Sequence, residues 1–416
     1  MSVPTRRALC VAIVACFAGA ATAHAQAPPE HSHDMQDMHD MHDMQMDAGW
    51  TFMQEGNVYA LFNRQGSPRG GDDLEATNWW MGMFSRQSSR HRLTLSGMFS
   101  IDAATAGNDG YREIFQVGET LDGQPLVDRQ HPHDLFMQLA AAWRANISDT
   151  TTMTFAGAPV GEPALGPPTY MHRASAAVIP FAPLSHHLFD STHISFGVVT
   201  AALDRPRWSI EASVFNGREP DDDRWDFDFG RLDSVSARAW YRPSPAWAIQ
   251  VSSGWLKDPE TLEPGDITRT TTSASWLENA EGRMRAATIG YGVNSGHGGN
   301  RQGGFAEYSR EFSRATVSSR LELVQVESDV LLAEEPDDAA HQPRFDLVTA
   351  FTLAAERHLG TWRGIDTGVG ASLTFHAVPE HLQDAYGRGP TAFQFFVQVR
   401  TLTPGMGRMW NRRMGQ

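Results

Sequence analysis

The chain has 416 residues, enough for one to three domains, and its 34 Lys+Arg against 49 Asp+Glu leave a net charge of −15 that argues against a nucleic-acid partner. With 41% hydrophobic residues and no apolar run beyond the N-terminus of the roughly 18 residues a spanning helix needs, it is not a helical membrane protein. Both cysteines, Cys10 and Cys16, lie in the first 20 residues, which excludes a disulfide or a thiol-based site from the rest of the chain.

In chain order, Arg6 and Arg7 precede an apolar stretch from Ala8 to Ala21 and a small-x-small site, Ala23-His24-Ala25. That grammar predicts a signal peptide over residues 1–25 and an exported protein. Residues 26–50 form a Met/His/Asp-rich tail whose centre, 31–46, reads HSHDMQDMHDMHDMQM. It has nothing with which to build a core, so disorder is expected. Its candidate metal ligands are His31, His33, Met35, Met38, His39, Met41, His42, Met44 and Met46. Thioethers select Cu(I) and Ag(I), whereas imidazoles also serve Cu(II), Zn and Ni, so without cysteine the mixture favours copper. The bland alternative is a solvated spacer.

Residues 51–416 change texture to short segments alternating apolar and polar, the period of half-buried strands. One face of 134–147 carries Leu135, Met137, Leu139, Ala141, Trp143, Ala145 and Ile147. Strands are predicted at 57–64, 77–87, 91–101, 134–146, 150–158, 192–202, 206–216, 231–242, 246–256, 268–277, 283–293, 303–313, 314–326, 344–358, 362–376 and 390–401. Their connections alternate between long (65–76, 102–133, 159–191, 217–230) and short (88–90, 147–149, 203–205, 243–245). That alternation predicts an all-β fold, an antiparallel transmembrane β-barrel of about 16 strands, with loops on one side and turns on the other. An even strand number then places the tail and the C-terminus in the periplasm. Trp247 and Trp255 share one face of a strand, separated by about the height of an apolar band. A barrel of this size is expected to enclose an aqueous lumen. The faces read as lumenal carry Arg144, Glu211, Arg238, Arg285, Arg320, Glu322, Glu356, Asp366 and Arg400.

On this pattern the chain resembles Gram-negative outer-membrane porins from about residue 57 to 402. The resemblance implies a channel rather than an enzyme, embedded in outer-membrane lipid and lipopolysaccharide, inserted by the barrel assembly machinery and associating as a homo-trimer. It also implies that the third long connection, 159–191, folds into the barrel. The HDMQDMHDMHDM segment joined to a barrel resembles, in part, the copper resistance protein B type of outer-membrane protein. No cofactor is required on this reading, and the expected metal partner is copper, as Cu(I) or Cu(II), or another transition metal.

Six of the twelve histidines after residue 42 lie between 131 and 193. His131, His133, His172, His186, His187, Asp190 and His193 form a candidate loop cluster, with His193 expected to point into the lumen opposite a face of Ile194, Phe196 and Val198. Imidazole and carboxylate ligate Zn or Cu; alternatively the same groups brace loops folded inward. The acidic tips Glu219–Asp223 and Glu334–Asp338 read as solvated, with Ca²⁺ as the alternative. The Gly-rich stretch 295–300 reads as a loop. No arrangement singles itself out for catalysis. The leading function is therefore a porin-like channel with a copper-binding periplasmic tail. The alternatives are an outer-membrane metal-site protein or enzyme built on the histidines, and a structural surface barrel.

Overall fold

A computed structural model of the chain describes residues 49–401 apart from 118, 263, 281, 297 and 334–342. The tail candidates His31, His33, Met35, Met38, His39, Met41, His42, Met44 and Met46 lie outside the described residues, as do the signal segment and the tip Glu334–Asp338. The chain opens with β1 (Trp50–Gly66), β2 (Gly71–Gln87) and β3 (His91–Phe99). Four short strands within one loop follow: β4 (Tyr111–Arg112), β5 (Glu119–Leu121), β6 (Gln124–Leu126) and β7 (Arg129–Gln130). Next come β8 (Phe136–Ser148), β9 (Thr151–Gly161), β10 (Ser195–Asp204), β11 (Trp208–Phe215), β12 (Ser234–Tyr241) and β13 (Trp247–Leu256). The series ends with β14 (Ile267–Ala280), β15 (Arg283–Gly296), β16 (Gly299–Glu311), β17 (Ala315–Glu327), β18 (Phe345–Trp362), β19 (Ile365–Ala377) and β20 (Thr391–Thr401).

All but β4–β7 join one closed barrel of sixteen strands, each pairing antiparallel with its neighbour and β20 closing onto β1. Every predicted strand is present. Closure leaves no unpaired edge, the condition for crossing lipid with strands. The outward face is an apolar belt: Ile210, Val251 and Ile289 are each more than half exposed, and Trp143, Phe155, Phe351 and Phe395 continue it. Trp247 and Trp255 both face outward, as their spacing requires. This belt is the lipid face of a transmembrane barrel.

Connections of two to five residues mark one rim, the turn rim, and both ends of the barrel lie there. The other, the loop rim, carries 100–135 (L2), 162–194 (L3), 216–233 (L4) and 257–266 (L5). The alternation is not strict. Segment 65–76, read as a loop, is mostly strand, because β1 and β2 extend past their apolar residues and pair from Asn57↔Trp79 to Gln65↔Gly71. The Gly-rich stretch 295–300 is likewise a tight reversal, with Ser295↔Asn300 and Gly296↔Gly299 in register.

Three face assignments are corrected. Met137, read on the face of Leu135 and Trp143, packs inside with Met81 and Met98, where the β3–β8 register shifts. Arg285 shares the outward face with Ile289 and Tyr291, next to the turn rim, where a long cationic side chain reaches water. In β10 the outward face carries Val199, while Phe196 and Val198 are buried inside. Nor is the lumen open. Inward side chains are buried from Ser209 and Ala248 near the turn rim to Leu256 and Ile267 near the loop rim. Ile114 and Phe115 from L2 and Leu184, Leu188 and Phe189 from L3 form a core with Phe305, Val324 and Val348 of the wall. Two cavities beside these loops measure about 50 and 20 Å³, room for a few waters.

Candidate functional site

L3 has a sequence suited to entering a barrel. Pro163, Pro167, Pro168, Pro180 and Pro183 prevent it from extending the β-ladder, while its polar residues meet a wall of opposite charge. Arg173, on the loop, donates through Nε and Nη2 to both oxygens of Glu307 on β16, each at 2.9 Å, and through Nη1 to Asp190 Oδ2 at 2.9 Å. Arg320 of β17 donates to Glu307 Oε1 at 3.0 Å and to the carbonyl of Phe181 at 3.1 Å. The Ser185 amide and hydroxyl both donate to Glu322, at 3.1 and 3.0 Å. Farther round the wall, Arg238 donates to Glu211 at 2.7 Å and to the carbonyl of Gly166 at 2.9 Å. The lumenal charges thus form an anchorage. The buried, bidentate Arg173–Glu307 pair is the strong form of the ion pair.

The histidines of L2 and L3 converge inside this frame. A single-turn helix, His186–Phe189, sets His186 and Asp190 four residues apart, with Nδ1 2.8 Å from Oδ1. His193 sits in the next turn, Ser191–His193, not on the strand, and its Nδ1 contacts the Asp190 carbonyl at 2.8 Å. From L2, His133 Nδ1 lies 2.7 Å from Asp102 Oδ2, and His131 Nδ1 lies 3.1 Å from the Pro132 carbonyl. The rings make a continuous file: His133–His193 at 5.5 Å, His193–His186 at 5.2 Å, His186–His187 at 5.5 Å and His187–His131 at 6.1 Å. His172 stands apart, its ring edge-on to Trp79 at 5.0 Å.

Burial pushes His186 and His193 below the usual histidine range, Asp190 opposing it only in part, so both rings are neutral at pH 7. For Asp190 burial alone would raise the carboxyl, but His186 and then Arg173 outweigh it and hold it at about 2. Four of the six clustered histidines thus place Nδ1 against a carboxylate or carbonyl of their own loop, which fixes each ring, and the two loops meet ring to ring at His133–His193 and His131–His187.

The sixteenfold pattern pointed to L3 but not to the carboxylates that meet His187. His187 Nδ1 lies 3.3 Å from Glu219 of L4, and the ligand atoms of His187, Glu219 and Glu260 of L5 all fall within 4.8 Å of one another. The Glu219 amide also donates to the Pro259 carbonyl at 2.9 Å, joining L4 to L5. Glu219 heads the tip read as solvated; Asp221, Asp226 and Asp228 farther along L4 do converge, at a more exposed position. Sequence spacing carried no signal for a meeting of three separate loops.

No protein-family model matches the chain and no curated protein matches it. Among solved structures, an anion-selective porin from Comamonas acidovorans superposes with a TM-score of 0.53 over 85% of this chain and 100% of that one, at 11% identity. The fold is that of the porin barrels. OmpT of Vibrio cholerae in its trimer form gives 0.48 at 8% identity, covering 85% of this chain and 99% of that one. Salmonella typhi OmpF in complex with daunomycin gives 0.47 at 8% identity over 84% and 97%. The porin-like barrel closes as the alternation predicted, and its third loop enters the lumen.

Proposed function

We propose that this protein is an outer-membrane channel of porin type whose conductance is gated by L3. The carrying observation is the buried Arg173–Glu307–Arg320 anchorage, which fastens a loop of 33 residues across a sixteen-stranded lumen. A wall built only for stability has no need to hold a polar loop through charges, because apolar residues of the same volume serve as well or better. Purified protein in planar bilayers should give rare, small openings, and deleting 170–188 should give a large, steady conductance. Silence from both would leave a structural barrel.

Export by residues 1–25, periplasmic placement of the turn rim and copper binding by the tail complete the reading, together with association as a homo-trimer. Support for the first two comes from the signal grammar and from the described chain starting and ending at the turn rim. Tags at 149–150 or 242–246 should be unreachable from outside intact cells and tags in 216–233 reachable; the reverse would invert the barrel. For the tail, a peptide spanning His31–Met46 should keep Cu(I) at pH 5 while losing Cu(II), because imidazoles take up protons near pH 6.5 and thioethers do not. Native mass spectrometry of the detergent complex reads the trimer.

His187, Glu219 and Glu260 favour a second reading, a divalent Zn or Cu(II) site that ties L3 to L4 and L5 through one nitrogen and two carboxylates. Glu219→Gln with Glu260→Gln should then lower bound zinc by one equivalent; unchanged zinc would leave these groups as a brace.

A further inference from the structure

Eight methionines lie between Trp50 and Thr401, and six of them, Met53, Met81, Met83, Met98, Met137 and Met171, meet in a single cluster. Random placement around sixteen strands would scatter them. Four belong to the first three strands. Met53 pairs across the ladder with Met83, and Met81 with Met98. Directly opposed residues bring their Cβ atoms to about 5 Å, and Met81 and Met83, two residues apart on one strand, share a face at about 7 Å. That face is the inner one: Ser85, two residues on from Met83, is buried and bonds Thr94 across the ladder at 3.1 Å, while Phe84 and Leu95 on the other face are exposed. Met137 reaches the cluster from β8 and Met171 from L3.

Met81, Met98 and Met137 are buried, whereas Met53, Met83 and Met171 keep partial exposure, so the cluster has a wet edge. Beside Met171, the Nδ1 atom of His172 is buried with no hydrogen-bond partner. A buried imidazole nitrogen left without a partner calls for an explanation. The ring also packs edge-on against Trp79, a member of the same cluster, at 5.0 Å.

We infer that this methionine wall, with His172, is a binding site for a soft monovalent cation, Cu(I) or Ag(I), inside the barrel. The ligand class follows from the donors: thioether sulfur and neutral imidazole prefer soft ions and bring no charge that would hold a hard divalent one. Packing alone does not select methionine, since leucine fills the same volume with better-defined rotamers. The site rests on the copper reading of the tail only for the supply of the ion. Met53 lies three residues into β1, near the turn rim, where the tail joins the barrel.

The probe is Ag(I), applied to the full chain in detergent with the five tail methionines 35, 38, 41, 44 and 46 changed to leucine. This protein should still bind Ag(I), with sulfur in its X-ray absorption shell. Adding Met53→Leu, Met81→Leu, Met83→Leu and Met98→Leu should weaken binding at least tenfold while the barrel stays heat-modifiable. A separate His172→Gln change on the tail-substituted protein should remove nitrogen from the shell. No Ag(I) binding by the tail-substituted protein, or equal binding after the wall substitutions, would overturn the site. Conductance of the same preparations is read independently: loss of channel activity with Ag(I) binding intact sinks the gating proposal and leaves this one standing.

Discussion

Two stretches of the same lumen wall treat L3 in opposite ways. Along β11–β17 the wall presents Glu211, Arg238, Glu307, Arg320 and Glu322, and the loop is gripped atom by atom. Along β1–β3 and β8 it presents thioethers and rings, and the loop rests on them through Met171 and the His172–Trp79 contact. The ladder is regular along β11–β17 and shifts register at Met98/Phe99 between β3 and β8. What differs is directionality: guanidinium–carboxylate pairs tolerate one arrangement, whereas flexible thioethers accept many. A loop held tightly on one side and loosely on the other has a built-in hinge side and a built-in free side.

The comparison breaks most visibly at Arg173. Arg173→Ala leaves Asp190 and Glu307 short of a buried partner, a class of change that costs about 3–5 kcal/mol. Limited proteolysis within 162–194 should rise steeply and bilayer conductance should increase, with the barrel still heat-modifiable. A protease-resistant loop in that variant would mean that the charged wall is not the anchor.

A smaller effect is expected from acid. His186 and His193 have folded-state values below the ordinary 6.5, so the released loop takes up more protons than the docked one as pH falls. Their contribution to docking is therefore complete above about pH 6.5 and declines below it. Exchange protection of the L3 amides, relative to the intrinsic rate at each pH, should fall between pH 7 and 5, and the fall should shrink when His186 and His193 are alanine. Asp190, held at about 2, keeps its share until far more acid conditions. A flat profile would remove the histidine file from the docking energetics.

The smallest change belongs to the thioether wall. Met81→Leu with Met98→Leu conserves volume and should cost under about 1.5 kcal/mol each, with L3 protection unaltered. A loosened loop would show that this side grips as well, and the contrast between the walls would disappear.

The strands were legible because lipid outside and a different medium inside impose a period of two, as along Trp247–Leu256. Where both sides are apolar the period is lost. In β10, Phe196 packs inward with Trp79, Met81 and Met137, and Val198 with Leu165 and Phe215, while Val199 faces lipid, so the faces were read the wrong way round. The ends of β1 and β2 escaped for the converse reason: Gln65, Asp72 and Asp73 carry no apolar signal, yet their backbones pair. Inward folding of L3 was legible by resemblance and the local His186–Asp190 spacing by inspection. The meeting of His187 with Glu219 and Glu260 was not, because loop closure across three separate connections leaves no trace in local spacing. The lumenal methionines were visible as Met81 and Met83 on one predicted strand face, but only pairing with β1 and β3 makes them a cluster.

Gly166 carries a consequence for how L3 moves. Its φ of +78° is a left-handed conformation, and a Cβ there would come within 2.1 Å of the Phe189 carbonyl oxygen. The two strands of the loop therefore cross almost in contact at 166 and 189, while the Gly166 amide donates to Ser252 at 2.9 Å and its carbonyl accepts from Arg238. Residues 167–188 are cinched at the neck, like a purse whose string is tied to the wall. Such a lobe does not fray from its ends. It stays or swings as one piece, so the conductance steps of single molecules should be all-or-none rather than graded.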